Sequence, residues 1–93
     1  MYKIRCQLLK PAHYLEIRLI RTEETMLYLY QLFTDQPTIR WDNAPHFPAL
    51  QGFPHHFHEE TGEVQESVLT GDPVHDLPYI LTQVGAFLAR PPV

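Results

Sequence analysis

One cysteine, Cys6, stands in a chain of 93 residues. A lone thiol excludes an intrachain disulfide and any zinc site built from a cysteine cluster, and it fits a reducing compartment. Cations are scarce as well: seven Lys and Arg face eleven Asp and Glu, a formal charge of −4 with six His taken as neutral. A protein that coats duplex nucleic acid needs many phosphate-neutralising cations, so the balance argues against that class. No apolar run approaches the roughly 20 residues of a membrane span. Lys3 and Arg5 fall where a signal peptide would be apolar. Repeats, linkers and low-complexity tracts are missing too. What is present is an ordinary globular composition, with 44% hydrophobic and 19% charged residues, which argues against disorder. The expectation is one soluble, cytoplasmic domain over 1–93 with a thin core, burying about 60–65% of the unfolded surface.

The charge is unevenly spread. Residues 1–40 carry six cations and four anions, whereas residues 41–93 carry Arg90 alone against seven anions. Most of the first-half cations lie in segments of strand-like pattern, so one sheet face is expected to be locally positive, or simply solvated.

The first half reads as a β meander. Ile4, Cys6 and Leu8 alternate with Lys3, Arg5 and Gln7, the period of a half-buried strand over about 2–9, with Cys6 as an inert core thiol. A second strand over 14–21 alternates Leu15, Ile17 and Leu19 with Glu16 and Arg18. The run over 25–33, Met26 to Phe33, is apolar on both sides, as in a central strand covered on both faces. A short fourth strand follows over 38–42, and a fifth over 63–68 pairs back as a hairpin. The chain ends in a helix over 76–89, where Leu77, Ile80, Leu81, Val84, Phe87 and Leu88 form an amphipathic stripe and Asp76 is the expected N-cap. Pro91-Pro92 prevents continuation. The class is therefore α+β: an antiparallel β-sheet of about five strands with a C-terminal amphipathic helix packed on one face.

Between the fourth and fifth strands lies a His/Pro-rich segment, 42–58. Four of the six histidines fall within residues 46–58, and Pro45, Pro48 and Pro54 restrict the path. If 55–58 is extended, His56 and His58 project to one face and His55 to the other with Phe57. Clustered imidazoles suit acid–base chemistry, because one can accept a proton while another donates one. Such a pair cleaves RNA without metal, given a cation for the phosphorane. His46, His56 and His58 are the acid/base candidates, and Arg40 is the phosphate contact with Asn43 in support. The same residues suit a metal: His56 and His58 with His46, or with Asp42 or Glu59. Simpler readings stand beside these. His55 between Phe53 and Phe57 reads as a half-buried, hydrogen-bonded histidine, and Asp42-Asn43 as a turn bonding its own backbone. Trp41, Tyr28 and Tyr30 either stack bases or pack the core. His13 and His75 read as surface positions.

Tyr28-Leu29-Tyr30-Gln31, then Ile39-Arg40-Trp41-Asp42-Asn43-Ala44-Pro45-His46, then Phe53-Pro54-His55-His56 and His58 resemble the TumE-like family of small prokaryotic toxin–antitoxin proteins. Val64, Glu66, Ser67 and the final helix extend the likeness over about 28–88. The resemblance implies a toxin neutralised by a cognate antitoxin, typically a helix-turn-helix protein, and the activity supposed for such toxins is ribonuclease-like. It carries over Arg40, Asp42, Asn43, His46, His55, His56 and His58. Two positions depart from the pattern: Phe47 stands where relatives usually carry a second His, and Phe57 where they usually carry Lys.

The sequence thus reads as the toxin-like component of a toxin–antitoxin pair, a metal-independent endoribonuclease needing no cofactor. His46, His56, His58 and Arg40 are its catalytic candidates, and Asp42, Asn43, His55 and Trp41 its binding candidates. The alternatives are a non-enzymatic antitoxin- or protein-binding module and a metal-binding domain using His46, His56 and His58. RNA and the antitoxin are the expected partners, with no membrane. The strand over 2–9 offers an edge to a second copy or to the antitoxin, although its Lys and Arg read equally as edge protection.

Overall fold

A computed structural model describes residues 2–7 and 12–91. Six strands and one helix follow in chain order: β1 (Tyr2–Gln7), β2 (Tyr14–Arg21), β3 (Met26–Phe33), β4 (Pro37–Asp42), β5 (His56–His58), β6 (Val64–Glu66) and α1 (Pro73–Leu88). The strands form one sheet in the order β1-β2-β3-β4-β5-β6, every neighbouring pair antiparallel. Tight turns impose that order. The Thr22 amide donates to Thr25 O at 2.8 Å between β2 and β3, and the Thr34 amide donates to Gln36 O at 3.0 Å between β3 and β4. Leu8, Leu9, Lys10, Pro11 and Pro92, which carried parts of the expected first strand, first turn and final stop, lie outside the described residues.

The α+β class and antiparallel sheet agree with the sequence reading, with one strand more. The extra strand, β5, comes from the His/Pro-rich segment expected to be a loop. It is three residues long, too short for a periodicity signal, and exists because β4 and β6 flank it.

The sheet has two unlike faces. Leu15, Ile17, Tyr28, Tyr30, Leu32, Ile39 and Trp41 point to the side covered by α1, where they meet Ile80, Val84 and Leu69. Leu32 and Ile80 are wholly shielded from water. β3 is covered on this face only; its other face, Leu27 to Phe33, is exposed or half-buried, because its apolar residues there meet no second layer. β1 also departs from expectation. All six of its residues are exposed, Cys6 included, since one helix cannot reach across a six-stranded sheet to its edge.

The helix starts earlier than its apolar stripe suggests. Asp72 is the N-cap, its side chain accepting from the Val74 amide, and Pro73 begins the helix where a missing amide costs nothing. Asp76 is not the cap. It lies one turn inside, 1% exposed, and its carboxylate accepts from the Thr70 amide and hydroxyl and from the Gly71 amide at 2.8–3.1 Å. It ties the connector after β6 to the helix and holds Leu69 in the core. Leu81, expected on the apolar stripe, is 53% exposed, because the buried line runs through Asp76, Ile80 and Val84 instead.

Replacing Asp76 by Ala strands two backbone donors in a buried site. The expected loss is about 2–4 kcal/mol in a urea titration. A change within about 0.5 kcal/mol would show that Asp76 does not hold the connector.

Candidate functional site

Register assembles the polar face. Arg5, Glu16, Gln31, Arg40 and His58 form one row across five strands, and Lys3, Arg18, Leu29, Asp42 and His56 form the next. Residues far apart in the chain thereby share one surface, facing away from α1. At the β1–β2 end, Glu16 is 7% exposed and is met by Lys3 at 3.7 Å, Arg5 at 3.2 Å and Arg18 at 3.0 Å. Burial raises its carboxyl, but the Arg5 hydrogen bond and the charges of Arg18 and Lys3 outweigh that and hold it below the ordinary range. Three cations on one carboxylate leave this end positive. The locally positive sheet face expected from the charge split thus rests on Lys3, Arg5 and Arg18, since Arg40 is matched by Asp42.

The β4–β5 end is organised by Asp42, 6% exposed. Its Oδ1 accepts from the Ala44 amide at 3.0 Å and lies 2.9 Å from His56 Nε2. Its Oδ2 lies 2.9 Å from Arg40 Nε and 3.4 Å from His58 Nε2. The His56 Nε2 contact lacks hydrogen-bond alignment. The other nitrogen of His56, Nδ1, is 2.9 Å from Pro54 O and must donate, since a carbonyl only accepts. His56 is 1% exposed and both its nitrogens are turned to protein atoms, so no substrate reaches it.

His58 differs. Its side chain is 21% exposed, and Nε2 stands 3.0 Å from Arg40 Nη2. A guanidinium can only donate, so Nε2 accepts and Nδ1 carries the proton. Burial and the Arg40 charge, opposed by Asp42, hold its pKa below the ordinary 6.5, so the ring is neutral at pH 7. A neutral imidazole with its lone pair aimed at a cation is a base positioned beside an anion-binding group.

The segment between β4 and β5 folds over this end. Phe47 presents its ring edge-on to His56 at 4.9 Å and to His58 at 5.9 Å. His46 is exposed beside it and, with Leu27, Leu29, Arg40 and Asp42, lines an open groove of about 350 Å³.

Three expected binding residues serve the fold instead. Trp41 is 3% exposed and packs on Phe57 at 4.8 Å, so no base stacks on it. Asn43 accepts from the Tyr28 amide at 3.0 Å and donates to Met26 O at 2.8 Å, extending the β3–β4 pairing with its side chain. His55 lies on the helix side, stacked on Tyr28 with Nδ1 2.7 Å from its hydroxyl. Burial there lowers the His55 pKa and raises that of Tyr28. Phe57 also faces the core, packed on Trp41, so it is not on the histidine face. Lys3, Arg5, Arg18 and Glu16 were not singled out in the sequence as site residues; only strand alternation combined with register finds them.

Donor atoms of Asp42, His56 and His58 lie within 4.8 Å of one another, close enough to hold a small cation. His46, the third ligand of the expected metal set, is outside that group among the described residues. The Arg40 guanidinium already serves Asp42 and His58, so a metal there would compete with it.

One family model, described as Toxin TumE, matches residues 3–88, nearly the whole chain. No curated protein and no solved structure matches it. No helix among the described residues is long and apolar enough to cross a membrane.

Stability should depend on pH through His58 and His55. Their unfolded forms take up protons near the ordinary pKa of 6.5, whereas the folded rings resist until lower pH. The unfolded state therefore binds more protons as pH falls below 6.5, and stability drops until the lowered folded values are passed. Urea midpoints taken between about pH 7.5 and 5.5 should fall with pH, and less steeply in His58→Asn. Equal slopes in the two proteins would contradict the assignment.

Proposed function

The chain belongs to the TumE toxin family, and from that membership and the polar sheet face we propose that it is an endoribonuclease working without metal. Membership itself makes the chain the toxin component of a toxin–antitoxin pair, with an antitoxin as partner. The observation that carries the chemical reading is the pairing of Arg40 Nη2 with His58 Nε2 at 3.0 Å, on the same sheet face as Lys3, Arg5 and Arg18.

An RNA strand lying along the face would meet Lys3, Arg5 and Arg18 with its phosphates and place one phosphate at Arg40. As Arg40 Nη2 turns from His58 to that phosphate, the freed lone pair of His58 Nε2 takes the proton of the adjacent 2′-hydroxyl while that oxygen attacks phosphorus. Arg40 neutralises the phosphorane dianion. His46, exposed at the groove rim, donates a proton to the departing 5′-oxygen. The products are a 2′,3′-cyclic phosphate and a free 5′-hydroxyl, with protons balanced between the two histidines. In this reading His56 holds Asp42, and Asp42 holds Arg40 and His58 in line, so His56 is a positioning residue. Leu27 and Leu29 give the groove an apolar floor on which a base can rest.

The test is the purified chain on a single-stranded RNA oligonucleotide in EDTA, with product ends mapped. His58→Ala should slow cleavage by about 10²–10⁴-fold and Arg40→Ala by about 10²–10³-fold, both with the wild-type circular dichroism spectrum. His56→Ala should lower the melting temperature as well. Full cleavage by folded His58→Ala removes the base assignment. Activity lost in EDTA and restored by zinc replaces it with a cation held by Asp42, His56 and His58.

A further inference from the structure

β1 is an outer edge of the sheet and is exposed along its whole described length. Its two faces are chemically distinct. Tyr2, 73% exposed, Ile4, 49% exposed, and Cys6 lie on the helix side; Lys3 and Arg5 lie on the opposite side. The apolar side does not stop at the strand. Gln83, Ala86, Phe87 and Arg90 line a groove with Ile39, Trp41 and Phe57, so that flank of α1 faces β4 and β5. Leu81, about half a helical turn away, stands on the other flank, with 53% of its surface exposed. Asp76 is the helix's sole Asp, Glu, Lys or Arg and is buried, so the helix itself adds no such charge to this surface.

We propose that β1 is a strand-addition edge for an extended segment of a protein partner in which apolar and acidic side chains alternate. Such a segment pairs its backbone with β1. Its apolar residues lie beside Tyr2, Ile4 and Cys6, and its Asp or Glu beside Lys3 and Arg5. Charge selects this occupant. Lys3, Arg5 and Arg18 share the single carboxylate of Glu16, which leaves positive charge over, and the Lys3 and Arg5 side chains are 48% and 58% exposed. A second copy meets the opposite condition: pairing that keeps the apolar sides together sets Lys3 and Arg5 against their own counterparts. The proposal shares Lys3 and Arg5 with the ribonuclease reading but uses none of its catalytic residues Arg40, His46 and His58.

Cys6 supplies the readout, being the chain's one cysteine and exposed on the strand's apolar side. The probe is an end-blocked peptide of alternating valine and glutamate, added to the full chain. At ten times the Kd, mass action leaves about one edge in eleven open, so iodoacetamide labelling of Cys6 should slow about tenfold. Amide exchange of residues 2–7 should slow in parallel. A valine–lysine peptide should do neither, and Ile4→Lys and the Lys3→Gln, Arg5→Gln double variant should each weaken the glutamate peptide. Equal protection by both peptides, protection by neither, protection by an oligouridylate, or concentration-dependent protection without peptide from self-association would each overturn the proposal.

Discussion

A carboxylate taken out of water costs several kcal/mol unless charges and hydrogen bonds surround it. Asp42, 6% exposed on the last residue of β4, sets that condition for the candidate site. Its partners are drawn from its own strand, from the neighbouring strand and from the turn that follows: Arg40, His56, His58 and the Ala44 amide. β5 must therefore lie beside β4 in the register that sets His56 against Asp42. The loop carrying His46 and Phe47 departs from a turn whose first amide is bonded to Asp42. Site and local fold meet the same requirement.

Glu16 repeats the arrangement at the other end of the face, with Lys3, Arg5 and Arg18 around it. Three cations around the one carboxylate of Glu16 leave part of their charge facing solvent, whereas Asp42 is matched by Arg40 alone. This explains how a chain with net charge −4 can present a positive surface: most other anions lie in turns, in the helix cap or on the helix side. Charge balance over a whole chain says little about one face of a sheet.

The two departures from the family pattern separate in space. Phe57 sits against Trp41 on the core side and takes no cation from the polar face. Phe47 lies against His56 and His58, where an aromatic ring shields the histidines and narrows access to them.

The sequence by itself determined the α+β class, the order of the long strands, the C-terminal helix and the likeness to the toxin family. Those features rest on local periodicity, on proline and on a motif contiguous in the chain. The opposite projection of His55 and His56 also follows from strand alternation alone. Tertiary structure decided the rest. Three residues become β5 only between two neighbours, and Cys6 is exposed because α1 stops short of the edge. Alternation assigns a residue to a face but does not say whether anything covers that face. Only packing buries His56 and leaves His58 within reach, and only register across five strands brings Lys3, Arg5 and Arg18 into line with Arg40.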